Sequence, residues 1–177
     1  MNEEDNKRLG LLIFALARGD VSVLEDIYLL MVKILYAIGN IYFNQKADIE
    51  DVIQDFLILL YEKAGKFKHN KNACAWVIKL YQNLIYRKLE NRRREEKYLS
   101  SQMQLQELAG QEDSSVYIEN HIFFKEVLGK LNEYERELLI YRYICKCSIK
   151  EVADIMRKPK STVESQLKKV EEFIKKL

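Results

Sequence analysis

The sequence is short of the residues that break helices. Six glycines and one proline in 177 residues come to about 4%, where the pair ordinarily contributes about 12%. An all-β sandwich or barrel needs more turn residues than that, and so does a chain of alternating strands and helices. There are two histidines, and the cysteines are Cys74, Cys145 and Cys147. The Cys145-Lys146-Cys147 spacing suits neither a zinc site nor a disulfide framework, so no cofactor is expected and the thiols are read as reduced, as in a cytoplasmic protein. No apolar run approaches the roughly 18 residues of a membrane span, so no membrane insertion is expected. Leu9 to Ala17 is apolar but short, and Glu3, Glu4 and Asp5 precede it instead of a positive excess. Its Leu9, Leu12, Ile13 and Leu16 share one helical stripe, which fits a core helix better than an export signal.

What is present is helical periodicity. Hydrophobic residues make up 48% of the chain and charged residues 32%, enough for a packed core, and the expected fold class is all-α. One block spans residues 7–96 and is read as a four-helix domain. Its helices are a short first one, a long one over Val21 to Phe43, a third over Ile49 to Ala64 and a fourth over Asn72 to Glu96. Arg18-Gly19-Asp20 reads as a break, with Asp20 capping the next helix. Asp48 is expected as the N-cap of the third helix, which Gly65 stops. A second block spans residues 118–177. Between them, residues 97–117 include a Ser-, Gln- and Glu-rich stretch from Ser100 to Ser115 and are expected to form a flexible linker between two small domains.

The formal charge is only +2, but the charges are segregated. Gln45 to Glu62 carries a net −4, Lys79 to Lys97 a net +4 and Met156 to Val170 a net +4. Such patches suit a protein partner and a polyanion together. In the second block, Ser148 with Glu151 three residues on is a capping box opening a short amphipathic helix. Arg157-Lys158 makes a turn and Pro159 is expected at the first position of the next helix. There, Val163, Leu167 and Val170 face inward, while Lys160, Ser161, Thr162, Ser165 and Lys168 line the outer face. That is the pattern of a helix-turn-helix, whose second helix enters the major groove while cations hold phosphates; a plain helical hairpin with a charged face is the alternative.

In the first block, Glu50, Asp51, Gln54 and Asp55 share one stripe opposite Val52, Ile53, Phe56 and Leu60. The stripe is a solvated face, a dock for a basic helix, or part of a metal site if a second carboxylate helix faces it. Phe67, Lys68, His69, Asn70 and Lys71 precede a helix carrying Trp76, Asn83 and Arg87 and ending in Arg92, Arg93 and Arg94. Rings, amides and cations in that order suit a single nucleic-acid strand, with Trp76 more at home in the core.

Taken in order, these motifs resemble the bacterial sigma-70 family of RNA polymerase factors, in its small extracytoplasmic-function (ECF) group. Ala15 to Asp20 is similar to an opening "ARGD", Asp48 to Leu60 to the "D-x-E-D-x-x-Q-E/D-x-F" helix, and Leu131-Asn132-Glu133 to "LPE". Ser148 to Leu167 is similar to "S-x-x-E-I-A-x-x-M-x-x-P-x-x-T-V-x-S-x-L". The resemblance implies a region 2-like and a region 4-like domain, with core RNA polymerase (its β′ and β subunits) and promoter DNA as partners, an anti-sigma factor as a further one, and no catalysis. It places polymerase binding on Asp51, Gln54 and Asp55. Minus-ten reading and melting fall on Phe67, Lys68, His69, Asn70, Lys71 and Asn83, and Arg87 is expected beside them as a cation that holds the strand. Minus-thirty-five reading falls on Lys158, Lys160, Ser161, Thr162, Glu164, Ser165, Lys168 and Lys169. Glu164 and Gln166 stand where the family commonly has Arg or Lys, and Asn132 replaces the proline of "LPE". Two readings compete: a helix-turn-helix regulator acting alone, and an all-α Mg²⁺-dependent nucleotide hydrolase using Glu50, Asp51 and Asp55. The first leaves the acidic stripe idle; the second lacks a facing carboxylate helix.

Overall fold

The computed structural model describes residues 1–68, 72–102 and 130–176. His69, Asn70 and Lys71, and the part of the expected linker beyond Gln102, lie outside the described residues. Every regular element among the described residues is helical. In the first unit, α1 (Glu3–Ala17) ends at Arg18, and Gly19 then takes φ +95, a left-handed conformation that favours glycine. Asp20 accepts from Ser22 N at 3.2 Å and caps a single 3₁₀ turn, Val21–Val23. α2 (Leu24–Tyr42), α3 (Lys46–Lys63) and α4 (Ala73–Gln102) come next, with a 3₁₀ turn at Ala64–Lys66 ending α3 beside Gly65. α4 therefore continues past Glu96 into the segment expected to be linker.

The core of this unit tracks the helical stripes. Leu9, Ile13 and Leu16 of α1, Ile27, Met31, Leu35 and Ile38 of α2, and Val52, Phe56 and Leu60 of α3 are buried against Val77, Ile78, Tyr81 and Ile85 of α4. Each large side chain so buried stabilises the fold by about 1.5–3 kcal/mol. Phe56 meets Tyr81 edge-on at 5.3 Å between ring centroids. Gly39 sits where α2 passes closest to α3: a Cβ there would lie 2.7 Å from Ile49 Cγ2.

Among the described residues, the first helix of the second unit is α5 (Glu133–Leu139). Asn132, in place of the expected proline, caps it in a reciprocal box with Glu135, at 3.0 Å in each direction. α5 widens into a π turn, Ile140–Ile144, and then come α6 (Ile149–Met156) and α7 (Lys160–Ile174).

The two units are docked. Tyr141 donates its hydroxyl proton to Gln82 Oε1 at 2.8 Å with both residues fully buried, and Lys79 Nζ lies 3.2 Å from Glu137 Oε1. Asn72 donates through Nδ2 to the Cys145 carbonyl at 3.3 Å. Buried residues of both units form one continuous hydrophobic cluster. None of these pairings has a local sequence signal.

Candidate nucleic-acid interface

The helix-turn-helix is built by local rules. Ser148 accepts from Glu151 N at 3.3 Å, and Glu151 Oε2 accepts from Ser148 N at 2.8 Å, so α6 starts with its capping box closed. It stops at Arg157, which takes φ 53 and ψ 45, and Lys158 N then donates to Ala153 O at 3.0 Å. Pro159, expected inside the next helix, is its N-cap instead, with ψ 142. The ring fixes φ and the N-cap position asks nothing of the missing N–H, so the helix begins one residue later. In α7, Val163, Leu167 and Val170 are buried. Lys158, Lys160, Ser161, Glu164, Ser165, Lys168 and Lys169 are exposed together and Thr162 is half-buried. Two internal contacts order this face. Lys160 Nζ lies 3.4 Å from Glu164 Oε1, and Ser165 Oγ donates to Thr162 O at 3.0 Å. The outer face is cationic apart from Glu164, whose charge is partly answered by Lys160.

The acidic stripe on α3 is not bare. Lys88 of α4 bridges Asp51 and Asp55, at 2.6 Å from Asp55 Oδ2. Burial opposes the charged ammonium there, but its bonds to Asp51 and Asp55 outweigh burial and raise its pKa. Arg92 donates twice to Asp48, at 3.1 and 2.5 Å, and this bond holds the Asp48 carboxyl below its usual range. The Arg92 guanidinium also lies 5.4 Å from the Phe43 ring centroid. Asp48 is therefore not the N-cap expected of it. Gln45 precedes the helix, Asp48 falls in the first turn, and its side chain is held by Arg92. Glu50 accepts from Tyr36 at 3.0 Å and pairs with Lys46 at 3.3 Å. Burial first, and the bond to Glu50 second, push Tyr36 up to about 12. Asp51 and Gln54 are exposed and Asp55 half-exposed.

The charge arithmetic carried the signal for these pairs, since the net −4 of one segment and the net +4 of another belong to neighbouring helices. Reading both patches as reserved for outside partners misses Lys88 and Arg92 as their internal partners.

Along α4, Asn83 and Arg87 are exposed one turn apart, and Lys68 is exposed at the end of the preceding loop. Phe67 is half-buried, its ring 5.2 Å from that of Trp76 and tilted by 55°. Trp76 is half-buried and packs against the core, in line with its expected structural role. Asn83 and Arg87 thus share one surface, flanked by the stripe (Lys79, Gln82) on which the second unit docks.

Residues 27–95 match the family model described as Sigma-70 region 2, and residues 124–173 match Sigma-70, region 4. The chain belongs to the extracytoplasmic-function group of the sigma-70 family. The first unit is its region 2 and the second its region 4. The fold agrees. CnrH, solved in complex with the cytosolic domain of CnrY, superposes with a TM-score of 0.65 at 17% identity, covering 97% of this chain and 95% of CnrH. The sigma factor RpoE from Bartonella quintana, solved with the anti-sigma factor NepR, gives 0.63 at 22% identity, covering 86% of this chain and 94% of RpoE. No curated protein matches the sequence. The sigma-70 family is not one of enzymes, and among the described residues no helix is long and apolar enough to cross a membrane.

Proposed function

We propose that this chain binds core RNA polymerase and directs it to promoters, reading a minus-ten element with region 2 and a minus-thirty-five element with region 4. The observation that carries this reading is the α7 face. Lys158, Lys160, Lys168 and Lys169 surround small polar residues at the N-terminal turns of the second helix of a helix-turn-helix, over a buried Val163, Leu167 and Val170 stripe. Membership of the sigma-70 family supports assigning the remaining surfaces to the same task. Asp51, Gln54 and Asp55 form the polymerase dock, and Lys88 holds the two carboxylates until an arginine-rich partner helix displaces it. Phe67, Lys68, Asn83 and Arg87, with His69, Asn70 and Lys71, take the opened strand: amides read a base edge and cations hold phosphates.

Docked units cannot perform both readings at once. A compact chain of this length is about 40 Å across, whereas elements centred about 25 base pairs apart lie about 85 Å apart along B-DNA. An anti-sigma factor, of the kind that NepR is for RpoE, is a further proposed partner.

The test is co-purification with core polymerase. The wild type is expected to be retained. Replacing Asp51 and Asp55 together by lysine should abolish retention while leaving helicity intact, and unchanged retention in that double variant overturns the dock. A regulator acting alone would bind duplex DNA with no dependence on Asp51 or Asp55.

A further inference from the structure

All three cysteines of the chain meet at the junction between regions 2 and 4. Cys74 lies in the first turn of α4; Cys145 and Cys147 come just after the π turn of region 4. Their exposures are 0%, 2% and 0%. The Cys145 thiol is pushed up by its neighbours Cys147 and Cys74, although Cys74 is 71 residues away in sequence. The backbone around the thiols is tied down. Asn72 donates through Nδ2 to Cys145 O at 3.3 Å while its Oδ1 accepts from Ala75 N at 2.9 Å, and Asn6 Oδ1 accepts from Cys74 N at 2.8 Å. Lys146 takes φ 57 between the two region 4 cysteines and is itself exposed, so both of its neighbours turn inward.

We propose that Cys74 and Cys145 form a reversible disulfide in the presence of a hydroperoxide, and that this bond latches the two regions in the docked arrangement. One sulfur attacks the terminal peroxide oxygen, the O–O bond breaks and the remainder leaves as an alcohol or water. The resulting sulfenic acid is then attacked by the second sulfur, which expels water as the S–S bond forms. Two electrons and two protons pass from the thiols to the peroxide. In the docked body, the neighbouring Cys147 and Cys74, together with burial, push the Cys145 thiol up and keep it protonated and unreactive. The attack on peroxide therefore occurs when the junction opens, and closure sets the sulfenic acid against its partner. A disulfide needs its two sulfurs about 2.05 Å apart, and the bond from Asn72 to the Cys145 carbonyl already holds the two segments together. The bond ties together regions that promoter binding must separate. That consequence rests on the sigma-factor reading, whereas bond formation does not.

The full-length protein is treated with hydrogen peroxide, alkylated and monitored three ways: by non-reducing electrophoresis, by peptide mass spectrometry and by retention on core polymerase. The expected result is a faster-migrating monomer whose linked peptides contain Cys74 and Cys145. Its polymerase binding should fall at least tenfold and return with dithiothreitol. Cys74→Ala should give no such species and keep its binding after peroxide, while Cys147→Ala should still form the link; if Cys74→Ala does not fold, Cys145→Ser takes its place. A Cys145–Cys147 link, no intramolecular link, or a linked protein that binds polymerase as well as the reduced one overturns the latch. If the reduced protein never binds polymerase, the sigma-factor reading fails, and the latch is decided by the linked peptides and by a radius of gyration fixed at about 16 Å after oxidation.

Discussion

Replacing Tyr141 with phenylalanine removes one oxygen from the centre of the junction between regions 2 and 4. That hydroxyl donates to Gln82 Oε1 at 2.8 Å, both residues are fully buried, and Gln82 Nε2 has no partner among the described residues. The substitution keeps the ring and its packing and strands the whole amide. A buried acceptor left unpaired costs about 1–3 kcal/mol, which is about 5- to 150-fold in an equilibrium constant. Because the bond joins one unit to the other across their shared hydrophobic cluster, the cost falls on docking before it falls on the fold of either unit. Small-angle X-ray scattering of the monomer reads it as a larger fraction of extended molecules. The urea midpoints of the two units should change little. Adding Gln82→Leu to Tyr141→Phe should return most of the docked fraction, since the stranded amide is then gone. An unchanged open fraction in Tyr141→Phe, or a loss of secondary-structure stability as large as the loss of docking, refutes the reasoning.

Lys168→Ala or Lys169→Ala should weaken duplex binding across sequences and lower the slope of log K against log salt by about one, as measured by titration at several salt concentrations. Glu164→Arg removes both the Lys160 pair and a carboxylate able to accept from a cytosine amino group, a contact of roughly 1–3 kcal/mol. It should change the preferred minus-thirty-five sequence in a randomised-promoter selection, and not merely the affinity. Asn83→Ala should retain polymerase binding but lose permanganate reactivity of thymines near the start site. The Asp48 carboxyl titrates below its unfolded value of 3.8 because of its bond to Arg92. Its contribution is therefore complete above that value and is lost as pH falls through the lower folded-state pKa. For so exposed a pair this is about 0.5–1 kcal/mol, and Asp48→Asn should remove that part of the acid dependence of the urea midpoint.

The parts of this molecule that obey local rules are legible in the sequence. The stripes of α1 to α4, the Ser148–Glu151 box and the turn before α7 each depend on residues within one or two turns of one another. Asp48 reads as a cap because its decisive partner, Arg92, is 44 residues away, and a long-range ion pair has no period to read. The same holds for Lys88 with Asp51 and Asp55. Gln82 and Tyr141 read as ordinary helix residues until the fold buries them against each other. Asn132 reads as a missing proline against the family motif, although asparagine three residues before Glu135 is itself a capping signature. Residue pattern and family resemblance together proposed Asn83, Arg87 and the α7 face as sites, yet neither carried information about the thiol cluster, which exists only once the two regions dock.

The most direct test of the account is run-off transcription by core polymerase, with and without this protein, on a library of templates randomised upstream of the start site. The account predicts transcripts with discrete starts only when the protein is present, from templates sharing one minus-ten and one minus-thirty-five sequence. Starts that are the same without the protein, or no transcription above that of core polymerase alone, would contradict it.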